Sequence, residues 1–156
     1  MTSLTELLRK ARYWGITFTT AESCTGGMVA AALTEVPGSS DMFDRGFVTY
    51  SNAAKIAMLG VSEDSLTRHG AVSEQVALEM VQGALARSTA QLAVSVTGIA
   101  GPGGSGLKPE GRVCFGILRK GQDARTETIE FGALGRDKVR RAARDRALEL
   151  LSEALG

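Results

Sequence analysis

The chain has 156 residues, 44% of them hydrophobic and 22% charged, the length and composition of one globular domain (1–156) with a sizeable core. Its 18 basic and 17 acidic side chains leave a formal charge of +1, which excludes a global field for gathering nucleic acid or an anionic membrane. No apolar run approaches membrane-spanning length and the amphipathic residues 2–12 contain acid, so neither a membrane span nor a signal peptide is read; a cytoplasmic protein is expected.

Ser3-Leu4-Thr5-Glu6 has the spacing of a capping box, and Leu4, Leu7, Leu8 and Ala11 recur at helical period, which predicts a first helix ending near Gly15. A β-branched and aromatic run over 16–20 predicts a strand, and the Ala-rich stretch 28–33 a helix. Between them lies Ala21-Glu22-Ser23-Cys24-Thr25-Gly26-Gly27, read as a tight strand-to-helix turn. Val36-Pro37-Gly38-Ser39-Ser40 breaks the chain, 45–50 is a second strand, and 52–58 and 62–68 are short helices closed by Gly60 and by His69-Gly70. Ser73 caps a long helix to about Arg87, and 91–96, small and apolar throughout, has the pattern of a strand covered on both faces. A glycine-rich turn over 98–106 follows. Residues 112–118 and 125–131 alternate as an antiparallel pair, and 137–155 is a final helix. Helices separating the early strands and a late hairpin predict an α/β fold: a three-layer α/β/α sandwich on a mixed, mostly parallel sheet.

The strand-to-helix turn at 21–27 puts small nucleophilic side chains at the carboxyl edge of a sheet. It also aims the free N–H groups of a helix's first turn, with the positive end of its dipole, at one point. Cys24, Thr25, Gly26 and Gly27 are thus candidates to hold an oxyanion. Ser23 and Cys24 are the candidate nucleophiles: a helix-start thiol has a lowered pKa, with a small, buried, inert cysteine as its alternative, and a simple helix cap is the alternative for Ser23. The only histidine, His69, lies in a turn, so a Ser–His–Asp triad has one weak route. Cys24 and Cys114 fall in different elements without metal-ligand or CxxC spacing, and with a single His no metal or other cofactor is expected. A serine without a histidine base calls for a lysine of lowered pKa. Lys55 is placed for this, just after the second strand and among Ala53, Ala54, Ile56, Ala57 and Met58. Bringing a lysine from about 10.4 to near 7 takes roughly 4–5 kcal/mol of destabilisation of its ammonium. The alternative is a solvated lysine on a short helix.

Gly101, Gly103 and Gly106 satisfy G-x-G-x-x-G after a strand, yet a strand rather than a helix follows, so the dinucleotide reading is discarded. Two readings stay open for the turn: backbone N–H groups cradling a phosphate, or a long flexible connection. Arg136, Lys138, Arg140 and Arg141 crowd the start of the last helix, where positive charge is unfavourable. Arg140, at the edge of its apolar face, points to an anionic partner, with a solvated arginine as the alternative.

Taken together, Ala21-Glu22-Ser23-Cys24-Thr25-Gly26-Gly27, Tyr50-Ser51-Asn52 with Lys55 and Leu59-Gly60-Val61, Gly70-Ala71-Val72-Ser73, Val96-Thr97-Gly98-Ile99-Ala100-Gly101-Pro102-Gly103-Gly104, Lys108-Pro109-x-Gly111 and Val139-Arg140 resemble the CinA C-terminal domain family of competence/damage-inducible proteins, whose stand-alone members are nicotinamide-nucleotide amidohydrolases. The resemblance implies hydrolysis of the carboxamide of nicotinamide mononucleotide (NMN) to the acid and ammonia, with Ser23 as nucleophile and Lys55 as general base. It also implies a three-layer α/β/α fold and homo-oligomerisation. In that reading Tyr50 and Thr97 shape the pocket or orient Lys55, while Gly98, Gly101 and Gly103, or Arg140, meet the substrate phosphate. The family's Gly-Asp-Arg near the last helix is here Leu134-Gly135-Arg136, and the likeness covers the amidase half of the larger members. The reading from another class is a nucleotide-binding or partner module without catalysis, in which Ser23 is only a cap.

Overall fold

The computed structural model describes residues 2–156. In chain order it comprises α1 (Leu4–Trp14), β1 (Phe18–Glu22), α2 (Met28–Leu33), a short 3-10 turn (Ser39–Asp41), β2 (Phe43–Val48), α3 (Asn52–Leu59), α4 (Glu63–His69), α5 (Glu74–Ala86), β3 (Leu92–Gly98), β4 (Arg112–Arg119), β5 (Arg125–Glu130) and α6 (Arg136–Leu155). The strands form one sheet in the order β2-β1-β3-β4-β5. β1 pairs in parallel with β2 and β3, and β4 runs antiparallel to both β3 and β5, so β4 alone points against the others.

The helices divide between the two faces. α1, α2 and α6 bury Leu7, Val29, Leu33, Val139, Ala143 and Leu151 against Phe18, Leu92, Val94 and Phe115. α3, α4 and α5 bury Leu59, Leu66, Val76, Met80 and Ala84 against Ala21 and Ala93. Alternation along β1 explains the split, because Phe18, Thr20 and Glu22 face the first layer and Thr19 and Ala21 the second. The three-layer sandwich on a mixed sheet agrees with the expected architecture.

Both ends of β1 and β2 differ from the sequence reading. Ile16 belongs to the exit of α1: its N–H bonds back to Ala11 O beside a left-handed Gly15, closing the helix, and β1 starts two residues later. β1 then runs through Ala21 and Glu22 because both have partners on each side, Phe47 and Val48 in β2 and Ser95 and Val96 in β3. β2 begins and ends two residues earlier than read, its register set by that pairing. The predicted capping box closes only in part. Ser3 Oγ accepts the Glu6 N–H, but the Glu6 carboxylate pairs outward with Arg9.

The position of α3 depends on Gly83 in the middle of α5. A Cβ there would run into the carbonyl of Leu59, the last residue of α3, with Leu59 Cα only 3.1 Å away. Gly83→Ala should gain about 1 kcal/mol of helix propensity. It should lose more, about 1–3 kcal/mol, to overpacking against a backbone that cannot yield. A net drop in the thermal midpoint is expected in a calorimetric melt, where a rise would show that α3 can move away freely.

Candidate active site

β1 and α2 are joined by the turn 23–27, and β1's alternation continues into it. Glu22 goes under α2, and Ser23, whose N–H still bonds to Val96 O, goes to the α3 side. Gly26 and Gly27 have φ of 58° and 105°, a left-handed path that needs glycine. On the other side of the sheet edge, Ser51 caps α3 by accepting the Ala54 N–H, and the helix turns Lys55 back toward β1. Lys55 Nζ lies 3.0 Å from Ser23 Oγ. It also donates to the carbonyls of Thr49 at 2.8 Å and Tyr50 at 3.5 Å.

Lys55 is 1% exposed, and every oxygen it touches is neutral. Burial lowers its pKa from 10.5 to about 8. Cys24 matches the inert alternative and not the activated thiol. Burial first, then the Glu22 carboxylate, raises its pKa to about 11, so it is a protonated thiol at neutral pH. The helix dipole that should have activated it is already occupied.

Its occupant is Glu22, which the sequence reading left without a role. Glu22 Oε1 accepts from Thr25 Oγ1 (2.6 Å) and from the N–H groups of Gly27 (3.2 Å) and Val29 (2.9 Å); Oε2 accepts from Ala30 N–H (3.0 Å). Gly26 N–H bonds to Ser23 O, and Met28 N–H to Thr25 O. The expectation that Gly26 and Gly27 offer N–H groups to an oxyanion therefore does not fit the geometry. The turn's remaining backbone donors are those of Cys24 and Thr25. A signal existed: an acid as the last residue of a strand, one pleat before the nucleophile and facing a helix start.

Ser23 and Lys55 face a cleft of about 330 Å³, a size suited to a small molecule. Ser23, Cys24, Tyr50, Lys55, Thr97, Gly98, Gly101 and Gly103 line it, together with Asn52, Ala71 and Arg136. Thr25, Gly26, Gly27 and Arg140 do not. Arg140 sits behind the turn, donating Nε to Cys24 O (3.0 Å) and Nη2 to Thr25 O (3.4 Å), so it braces the backbone from outside the cleft. The arginine at the cleft is Arg136, one helical turn earlier. Its guanidinium bridges Tyr50 Oη and Gly101 O, both at 2.7 Å. Thr97 Oγ1 donates to Ala71 O at 2.8 Å, tying β3 to the cleft wall before α5.

The glycine turn is built, not slack. Gly101, at φ 92°, leaves room for the Glu110 carboxylate, which accepts the Gly103 N–H at 2.9 Å. Lys108 Nζ donates to His69 O and to Val72 O, pinning the turn to the end of α4. Among the described residues no group of three His, Cys, Asp or Glu could hold a metal ion. No helix among them is long and apolar enough to cross a membrane.

The buried ammonium has a consequence for stability. Lys55 titrates near 8 when folded and near 10.4 when unfolded, so below pH 8 both states are charged and the folded state carries the full burial penalty, about 3 kcal/mol. Between pH 8 and about 10.4 the unfolded chain binds more protons, and wild-type stability should rise with pH. Lys55→Met should lack that rise. The difference in urea-unfolding free energy between the two proteins should therefore move in favour of the wild type from pH 7 to 10; parallel curves would mean that Lys55 is not destabilised in the fold.

The profile of the CinA C-terminal domain family matches residues 2–155. A nicotinamide-nucleotide amidohydrolase PncC of Escherichia coli is 53% identical over 143 residues, covering 91% of this chain and 85% of that protein. A CinA-like protein of Chlorobium phaeobacteroides is 51% identical over 146 residues; the match takes 90% of this chain, which spans only about a third of that relative, 34% of its length. The crystal structure of the competence/damage inducible protein CihA from Agrobacterium tumefaciens aligns with a TM-score of 0.90 at 48% identity, covering 99% of each chain. Matched by the profile over nearly its whole length and by a solved relative over its whole fold, the chain belongs to the CinA C-terminal domain family.

Proposed function

We propose that this chain is an amidohydrolase that converts the carboxamide of NMN to the carboxylate of nicotinic acid mononucleotide, releasing ammonia, with Ser23 as nucleophile and Lys55 as general base. The observation that carries the reading is the 3.0 Å approach of a buried, uncompensated Lys55 Nζ to Ser23 Oγ. The similarity to a protein named nicotinamide-nucleotide amidohydrolase supports the choice of amide.

With a pKa of about 8, Lys55 is a free amine in roughly a tenth of molecules at pH 7, enough for a base whose conjugate acid must later donate. The amine takes the Ser23 proton as Oγ bonds to the carboxamide carbon, and the carbonyl electrons move to oxygen. The N–H of Cys24, the turn's remaining backbone donor on a residue that lines the cleft, is assigned to that oxyanion. Its collapse breaks the C–N bond, and Lys55 gives its proton to the departing nitrogen, which leaves as ammonia. Water then attacks the Ser23 ester, passing its proton through Lys55 back to Ser23 Oγ, and the acid departs. Arg136, with Tyr50 and the glycine turn, forms the cationic rim on which the nucleotide phosphate rests. The supply of this substrate and the use of its product belong to pyridine nucleotide salvage in this reading.

Ser23→Ala should lower ammonia release from NMN by about 10³-fold or more while the melt and equilibrium binding of NMN stay near wild type. Cys24→Ala should keep most activity; the reverse pattern would transfer the role to the thiol. Since the neutral amine is the working form, kcat/KM should climb with pH and level off above an apparent pKa near 8. A profile flat from pH 6 to 9 would remove Lys55 as the base.

A further inference from the structure

Neither proton step uses the one buried carboxylate among the described residues, Glu22. All four of its donors are neutral, and they lie three to eight residues ahead in the chain. A local Ser or Asp cap satisfies one helix-end N–H at the surface without burying a charge. Here the N-cap is Gly27, which has no side chain, and an acid from the preceding strand does the capping from below. An unpaired buried carboxylate is a costly way to end a helix of six residues unless its hydrogen bonds also serve something else. What they enclose is the 23–27 turn. Glu22 holds its donors from one side, and Arg140 holds the carbonyls of Cys24 and Thr25 from the other.

We propose that Glu22 is a positioning residue for the nucleophile: its carboxylate fixes the 23–27 turn so that Ser23 Oγ stays at Lys55 Nζ, and takes up the N–H groups of Gly27, Val29 and Ala30 so that the turn presents the Cys24 N–H to the cleft. A glutamine can accept on one oxygen only, and its NH2 would oppose a backbone N–H. The side chain would rotate and the turn relax. The role rests on the proposed serine mechanism, so its test reads Ser23 directly as well as turnover. Sulfonylation of Ser23 by an aryl sulfonyl fluoride, followed by intact mass, gives the first measure. Ammonia release from NMN gives the second.

In Glu22→Gln, both the sulfonylation rate and kcat should fall by about 10²-fold, the effect of a nucleophile displaced by about 1 Å. KM should stay within a factor of about two, because Arg136, Tyr50 and the glycine turn are untouched, and the acid limb of the pH profile should stay near 8, because Lys55 owes its shift to burial. A variant that melts earlier but keeps wild-type kcat and sulfonylation rate, measured well below its midpoint, would overturn the proposal and leave Glu22 as a helix cap alone. Should Glu22→Gln not fold, Glu22→Asp keeps the charge but withdraws it by one methylene, and the same two rates decide. A wild type that is sulfonylated at Ser23 yet releases no ammonia from NMN would sink the substrate reading without touching this one.

Discussion

An ammonium with no counter-ion is the constraint around which the site is arranged. Lys55 is surrounded by carbonyl and hydroxyl oxygens that can hold its protons but cannot neutralise its charge. A carboxylate in that place would restore an ordinary lysine pKa and a structural ion pair. The fold excludes one by its layering. The acid that precedes Ser23 on β1, Glu22, faces the opposite layer, one pleat away. Parity along β1 therefore separates the charge that would silence the base from the hydroxyl that the base must reach.

The same parity separates the two candidate nucleophiles. Ser23 and Cys24 are adjacent and both line the cleft. Only the serine touches an amine, while the thiol is held protonated by burial and by the carboxylate beneath it. A helix N-terminus is commonly an anion site, but here its donors are spent on a side chain of the protein itself. The result is a stiff turn with its dipole already compensated, leaving the cleft's positive potential to Arg136 and Lys55.

Around the dyad, the walls are tied to each other more than to the core. Arg136 joins α6 to Tyr50 and Gly101, Lys108 joins the glycine turn to the end of α4, and Thr97 joins β3 to the segment before α5. These bonds cross between elements far apart in sequence, so the cleft exists only once both helix layers have docked. Gly83 marks where two backbones approach too closely for any side chain, and Gly101 where the Glu110 carboxylate packs against the bare backbone.

Local pattern was enough to find most elements, since capping serines, left-handed glycines and apolar periodicity act within a few residues. The strand-to-helix turn with Ser23, and a lysine set among apolar neighbours after the next strand, were legible for the same reason: each is a short-range chemical signature. The partners of those residues were not. Arg136 and Arg140 lie one turn apart on α6 with nearly the same local context, and only docking against the 23–27 turn sends Arg140 behind it and Arg136 to the cleft. Glu22 looked like one more residue of a motif until pairing on both sides extended β1 through it and the pleat turned it under α2. The kind of chemistry was written in residue types and spacing. Which atoms face which is a property of strand register and layer packing, because those join residues across distances over which local sequence carries no information.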